Sequence, residues 1–374
     1  MTALPGCRRS VASLVSRDFP KVTTRRCRPD GGTTATGGPV ARATLADVAA
    51  AAGVSVPTVS KVLSGKKHVS AATRDKVLEA VRTFGYEAPR PPSAPRVGIV
   101  DLLIDGLGSP WAQVLLSGAE KAAARWGYSL VVSSSARPDF DLRRWIGMVR
   151  KRGTDGIVLV LSRVDQSEIA AIGELLHVPL VLLDPVGQRD PRISTVGATN
   201  WLGGVMATTH LLESGHKRIG FIGGPLDVQC TLDRYEGYLA AHRTFGIDPD
   251  PELTRYGDFL VGGGKKHGAD LLARDDRPTA IFAGSDLQAA GVYQAATEHG
   301  IRVPEELSVV GFDDSPLCEM LSPPLTTVRQ PLEDMANEAV RLLSEELTHP
   351  RGAAGTRIEL ATTLVVRSST AILP

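Results

Sequence analysis

From Arg96 onward short β-branched runs alternate with longer helical stretches, and this alternation constrains the fold more than any other feature of the chain. Val97–Leu103, Leu130–Ser133, Gly156–Leu161, Pro179–Leu183, Arg218–Ile222, Ala280–Ala283 and Leu307–Phe312 read as strands. Trp111–Trp126, Leu142–Arg150, Glu168–Leu176, Leu202–Glu213, Arg234–Phe245, Leu287–His299 and Leu332–Glu346 read as the helices between and after them. Parallel neighbours need a long crossover, usually a helix, so the pattern predicts βαβ units and parallel sheets. So many strands overfill one comfortable open sheet. An α/β core of two lobes is the expectation.

Upstream the period changes. Leu45, Val48, Ala49 and Ala52 recur at helical spacing, with Thr44 as N-cap and Asp47 three residues on as in a capping box. Gly53 ends that helix. Ser55 can cap a second carrying Val59, Val62 and Leu63 as far as Gly65, and Ser70 a third whose Val77, Leu78, Val81 and Phe84 face inward before Gly85. Helix, glycine turn and capped second helix is the geometry of an all-α helix-turn-helix, whose second helix enters the DNA major groove. Val56, Pro57, Thr58, Ser60 and Lys61 are then the positions facing base edges and phosphate.

Between the two parts, Glu87–Pro95 holds Pro89, Pro91, Pro92 and Pro95, which excludes a useful helix and predicts an extended linker. The expected organisation is a disordered basic extension over 1–42, the helix-turn-helix over 43–87, a proline-rich linker over 88–96 and an effector-binding and dimerisation core over 97–374, with crossovers between its lobes near 198 and 330. Three readings of residues 1–42 stay open: an arm touching DNA, a passive tail, or residues upstream of the natural start.

The formal net charge of +1 averages unlike segments. Between residues 41 and 90, Arg42, Lys61, Lys66, Lys67, Arg74, Lys76, Arg82 and Arg90 stand against Asp47, Asp75, Glu79 and Glu87. A local basic excess suits one small module that meets phosphate. Cys7, Cys27, Cys230 and Cys318 form no CxxC pair and no metal-ligand spacing, so reduced thiols in a cytoplasmic protein are expected, with neither metal nor cofactor. No apolar run is long enough for a membrane span or a signal-peptide core, so no membrane partner is expected. Gly262-Gly-Gly-Lys-Lys266 is no phosphate loop, since His267 stands where that loop needs a hydroxyl. No catalytic motif carries an enzyme reading.

Together the N-terminal motifs resemble the lac repressor (LacI/GalR) family of bacterial transcription regulators. The Thr-capped helix, Ala52-Gly-Val-Ser55, Thr58-Val-Ser60 and Val62-Leu-Ser-Gly65 stand in the family's order, followed by Val69-Ser-Ala-Ala-Thr73-Arg and Phe84-Gly-Tyr86. The resemblance implies that Val56, Pro57 and Lys61 read bases, that Ser64 and His68 make further contacts, and that Ser55, Ser60, Ser70 and Thr73 meet phosphate. Pro57 departs from the hydrogen-bonding residues often found there; it suits a helix's first turn but offers only apolar contact. No leucine stands between Tyr86 and Val97, where the family carries a hinge helix with a minor-groove wedge. Weaker DNA bending is expected.

In parallel α/β sheets, ligands sit beyond the carboxyl ends of strands. Ser109 and Trp111 follow the first strand, Ser133 and Arg137 the second, Asp184 the fourth, and Ser285, Asp286, Asp313 and Asp314 later ones. Carboxylates for hydroxyls with an aromatic face for a ring suit a carbohydrate pocket, although an Asp after a strand also caps helices and Trp111 could be core. The resemblance extends through 97–370, on Val196-Gly-Ala-Thr-Asn200, His210-Leu-Leu, Gly215-His, Leu307-Ser-Val-Val-Gly-Phe-Asp-Asp314 and Pro323-Pro-Leu-Thr-Thr-Val-Arg-Gln330. It implies a periplasmic-binding-protein-like core whose effector contacts fall on Ser109, Trp111, Arg137, Asp184, Asn200, Arg234, Phe259, Ser285, Asp313 and Gln330, with Asp286 and Cys230 weaker. The implied protein is a repressor, homodimeric on a two-fold-symmetric double-stranded DNA operator and controlled by a mono- or oligosaccharide. The alternatives are a purine-responsive regulator of the same fold and a plain solute-binding protein.

Overall fold

Thr44 opens the first helix as its spacing predicts: its hydroxyl accepts from the Asp47 amide while the Asp47 carboxylate accepts from the Thr44 amide, a closed capping box. The structure, a computed structural model, describes residues 44–63, 69–84, 96–161, 169, 172, 176, 178–184, 190–348 and 355–373. The extension over 1–42, nearly all of the proline-rich linker, Ser64 and His68 lie outside the described residues, as does most of the expected helix Glu168–Leu176. The chain divides into two compact units, 1–88 and 89–374.

The first unit holds α1 (Leu45–Ala52), α2 (Val56–Leu63) and α3 (Ala71–Phe84). Gly53 sits at φ 65°, a left-handed C-cap that no β-carbon obstructs, and α1 and α2 meet at a 96° bend. Val48, Ala49, Ala52, Val59, Val62, Val77 and Ala80 form the small core around which the three helices close.

The second unit is two stacked α/β lobes. In chain order lobe 1 begins with β1 (Ile99–Ile104), α4 (Pro110–Arg125), β2 (Ser129–Ser134), α5 (Leu142–Arg152), β3 (Gly156–Val160), β4 (Leu180–Leu183) and β5 (Ser194–Ala198). Lobe 2 holds α6 (Asn200–Glu213), β6 (Ile219–Gly223), α7 (Gln229–Thr244), β7 (Thr254–Tyr256), α8 (Val261–Leu272), β8 (Ala280–Ala283), α9 (Asp286–Glu298), β9 (Ser308–Asp313), α10 (Leu317–Met320) and β10 (Thr326–Arg329). The chain then returns to lobe 1 as α11 (Leu332–Thr348) and β11 (Arg357–Leu360), and ends on lobe 2 with β12 (Thr363–Val365).

Among the described residues each sheet has six strands, in the orders β11-β5-β4-β3-β1-β2 and β12-β10-β9-β8-β6-β7. All pairs are parallel except β10 with β12. Alternation along the strands explains their unbroken apolar runs. Leu102, Val158 and Val181 pack under α4 and α11, while Leu103, Ile157, Leu159 and Leu182 pack under α5 on the opposite face. Lobe 2 repeats this, with Ile281 and Val309 facing α8 and α9, and Phe282 and Phe312 facing α6 and α7.

The chain crosses between lobes after Ala198 and around Gln330. A third, between β11 and β12, was not foreseen. It is tied to the first: the Thr199 and Thr362 hydroxyls lie 3.0 Å apart, and the Thr362 amide donates to Thr199 Oγ1 at 3.0 Å. The Gly262–Lys266 run is part of α8, where Gly264 serves packing. A Cβ on Gly264 would stand 2.2 Å from the Gln288 carbonyl, and one on Gly291 2.2 Å from that of Val261.

Candidate DNA-binding and ligand-binding sites

In the helix-turn-helix unit, Val59 and Val62 turn inward, which leaves Val56, Pro57, Ser60 and Lys61 of α2 exposed. Val56 is 41% exposed, a large apolar side chain with no place in the unit's own core. The Ser55 and Thr58 hydroxyls pair at 2.9 Å across the first turn of α2, and Thr58 is half-buried, so it faces solvent less than its neighbours. Ser70 and Thr73 form the same arrangement at the head of α3, with hydroxyls 2.8 Å apart. The Thr73 amide donates to Ser70 Oγ at 3.3 Å, so Ser70 caps α3.

The core unit carries a cleft of about 470 Å³ between its lobes. Lobe 1 contributes Asp105, Ser109, Trp111 and Asp184, and lobe 2 contributes Arg234, Phe259, Ser285 and Asp313, with Gln330 arriving from the second crossover. Asp105, Ser109, Trp111, Asp184, Ser285 and Asp313 lie at the carboxyl ends of β1, β4, β8 and β9 or on the helix starts that follow, where a parallel sheet leaves its crevice. Arg234 comes from α7, Phe259 from the loop after β7, and Gln330 follows β10. Ser109 caps α4 by accepting from the Ala112 amide at 3.1 Å. Ser285 caps α9 through the Gln288 amide and donates to the Phe259 carbonyl at 2.9 Å.

Arg234 is the most constrained of these side chains. Its Nε donates to Asn200 Oδ1 at 2.9 Å, its Nη1 to the Gly284 carbonyl, and its guanidinium lies 3.7 Å over the Phe312 ring. Asp313 accepts from Gln330 Nε2 at 2.7 Å. Burial pushes the Asp313 carboxyl well above the usual range, against the pull of Arg234. Burial likewise raises Asp286 to about 6, opposed by hydrogen bonds from the Thr327 hydroxyl and the Ser315 amide. Asp286 faces the cleft with both oxygens already engaged, and Cys230 is a wall residue whose thiol burial pushes up to about 12.

Backbone strain concentrates here. Asp184 (φ 54°), Phe259 (φ 62°) and Asp313 (φ 118°) adopt left-handed conformations and all line the cleft. Phe259 can do so because residue 224 is glycine, where a Cβ would come within 2.1 Å of its ring.

Two residues on the expected effector surface do not reach it. Arg137 is exposed beyond β2, the edge strand of its sheet, with its Nε 3.8 Å from Asp139, and it does not line the cleft. Asn200 is buried behind Arg234 as its acceptor, so it positions a wall residue without lining the wall. Sequence reasoning missed Asp105, Asp258 and Ser315, which do line the cleft. Asp105 ends a buried strand, the same signal that singled out Asp184; nothing local marks Asp258. Asp314, next to Asp313, turns away from the cleft into ion pairs with Arg329 at 2.6 Å and Arg367 at 2.7 Å.

A helix-turn-helix joined to a two-lobed core with a polar and aromatic cleft defines a DNA-binding regulator that answers to a small molecule. Comparison with known proteins agrees. The model for bacterial regulatory proteins of the lacI family matches residues 44–88, and that for a periplasmic binding protein-like domain matches 208–370. The HTH-type transcriptional repressor CytR of Escherichia coli K12 is 33% identical over 336 residues, 89% of this chain and 97% of the relative. The ribose operon repressor of the same organism is 33% identical over 87% and 99%. The HTH-type transcriptional repressor PurR of Mannheimia succiniciproducens is 30% identical over 87% and 98%. Among solved structures, a complex of the transcriptional regulator CelR with cellobiose superposes with a TM-score of 0.69 at 34% identity, covering 88% of this chain and all of that one. The lac repressor dimer bound to operator and the anti-inducer ONPF gives 0.65 at 26%, covering 88% and 99%. The chain belongs to the lacI family of bacterial regulatory proteins and is a DNA-binding transcription regulator, not an enzyme. Among the described residues no single helix is long and apolar enough to cross a membrane.

Proposed function

We propose that this regulator is a cytoplasmic repressor, homodimeric on a two-fold-symmetric operator, whose DNA affinity is set by a neutral mono- or oligosaccharide bound between the lobes. The observation that carries the effector reading is the cleft itself: Trp111 and Phe259 line it from opposite lobes among carboxylates and a guanidinium. Aromatic faces cover the apolar side of a sugar ring while carboxylates accept its hydroxyl protons. Asp184, Asp313 and Arg234 are the polar anchors, with Ser109, Ser285, Phe259 and Gln330 completing the wall. That one relative is named for the ribose operon and one solved structure holds cellobiose supports the same class.

On the DNA side, Val56, Pro57 and Lys61 read bases from the exposed face of α2, and Ser55, Ser60, Ser70 and Thr73 meet phosphate. Ser64 and His68 are further contacts, and the half-buried Thr58 supports Ser55. A single recognition helix reads too few bases for a unique site, which is why the operator is symmetric.

The test is selection of bound sequences from random DNA, followed by operator titration with sugars and purines. An inverted repeat released or tightened by one sugar supports the proposal. A response to hypoxanthine or guanine in place of every sugar would replace the effector class.

A further inference from the structure

The exposed face of α2 is divided along its length. At about 100° per residue, Val56, Ser60, Pro57 and Lys61 follow one another round a single arc of about 140°, while Thr58, Val59 and Val62 fill the opposite side. The first turn of that arc is Val56 and Pro57, and the second is Ser60 and Lys61. Val56 is 41% exposed and Pro57 is exposed as well. The unit closes its core without them: Val48, Val59, Val62 and Val77 are all buried.

The backbone of the first turn adds little polar capacity. Pro57 has no amide hydrogen, and the Thr58 and Val59 amides donate to the Ser55 carbonyl at 2.8 and 3.1 Å. A helix-turn-helix brings the leading residues of its second helix to the base edges, so here the groove is met first by hydrocarbon. In the major groove thymine displays a C5-methyl, whereas cytosine and adenine display amine donors. Setting Val56 against a methyl removes both from water. Setting it against an amine strips that donor of its water partner and supplies no other.

We propose that each half-site of the operator carries a thymine whose C5-methyl lies against Val56 and Pro57, so that the regulator reads a 5-methylpyrimidine there and not a hydrogen-bonding edge. The proposal rests on the reading of α2 as the base-reading helix on a symmetric operator. Readout is then split within one helix, apolar in its first turn and polar at Ser60 and Lys61.

The experiment starts from the inverted repeat that the full-length protein selects from random DNA. Its thymines are replaced one position at a time, in both half-sites, by deoxyuridine, which differs only in lacking the methyl. At one position the affinity in a mobility-shift assay falls by about 4-fold per half-site, the worth of one buried carbon. At that position 5-methylcytosine binds more tightly than cytosine, and Val56→Ala narrows the gap between thymine and deoxyuridine. A selected half-site without thymine, or full affinity with deoxyuridine at every thymine, overturns the methyl reading. Because that change is made in the DNA, no folding defect of a variant can imitate it. Other base exchanges that still abolish binding would leave α2 standing as the reading helix. A methyl effect that both Val56→Ala and Pro57→Ala leave unchanged overturns the role of these two residues. Binding of the repeat no tighter than random DNA overturns base reading itself, and the proposal with it.

Discussion

Arg234 Nε donates to Asn200 Oδ1 at 2.9 Å, and the same Asn200 side chain donates through Nδ2 to the Ala198 carbonyl at 3.3 Å. One amide therefore links a cleft wall on α7 to the strand end at which the chain leaves lobe 1. Asn200→Ala would leave the buried Arg234 Nε without its acceptor, a loss of about 1–3 kcal/mol. Urea denaturation of the full chain should show it, together with weaker effector binding in calorimetry. Asn200→Asp keeps an acceptor and should restore most of both; equal behaviour of the Ala variant and the parent would show the link to be passive.

Asp313 joins Gln330 Nε2 at 2.7 Å on the cleft wall. Removing its carboxylate with Asp313→Ala should remove a charge-assisted bond to the effector worth roughly 1.5–3 kcal/mol, one to two decades in Kd. Operator binding without effector should be unchanged, because the helix-turn-helix closes on its own core. Titration with the cognate sugar and a mobility-shift assay together check this.

Asp286 makes stability depend on pH in a definite direction. Its folded pKa is raised to about 6 by burial, so the folded state holds a proton that the unfolded chain, at about 3.9, has released. Its contribution is therefore present in full at low pH, declines as pH rises from about 4 to about 6, and is constant above that. Asp286→Asn can still accept from the Ser315 amide while donating to the Thr327 hydroxyl, so it should fold and lack this decline. Denaturation curves of variant and parent from pH 4 to 8 should diverge across that window; parallel curves would refute the assignment.

Two glycines should respond oppositely to alanine. Gly147 lies inside α5 with nothing within 4 Å of an added Cβ, so Gly147→Ala should stabilise by about 0.5–1 kcal/mol. Gly264 lies against the Gln288 backbone, where an added Cβ would stand 2.2 Å from the carbonyl oxygen, so Gly264→Ala should destabilise by about 1–3 kcal/mol as α8 and α9 separate. Thermal melts of both variants decide the pair.

Lys61 is exposed on α2. Lys61→Ala should weaken cognate binding by about 1–3 kcal/mol, with a smaller loss on random DNA, if it reads a base edge. An equal loss on both DNAs, with a shallower salt slope, would assign it to phosphate instead.

The local readings survived wherever the determining contacts are local. The capping box at Thr44 and the glycine turn at Gly53 were legible because each depends on residues within one turn. The strands β1, β3, β4, β6, β8 and β9 were legible because burial on both faces demands unbroken apolar runs. Short or polar strands were not: β5 (Ser194–Ala198) is wholly buried yet holds a single large apolar residue, and β11 and β12 at the sheet edges are half-exposed. α8 was hidden by three successive glycines, which disfavour a helix locally; of these the backbone of α9 requires Gly264 to lack a side chain.

The sequence by itself determined a DNA-reading module, a two-lobed parallel core and the strand ends that border the cleft, since periodicity, caps and turn residues act over a few positions. Only the tertiary structure decided which of those border residues share a wall. It placed Asn200 behind Arg234, turned Asp314 away from the cleft beside Asp313, left Arg137 exposed beyond an edge strand and brought in Asp258 from a loop. The physical reason is that cleft membership depends on three crossings between lobes and on strained backbone at Asp184, Phe259 and Asp313, held by contacts dozens of residues away.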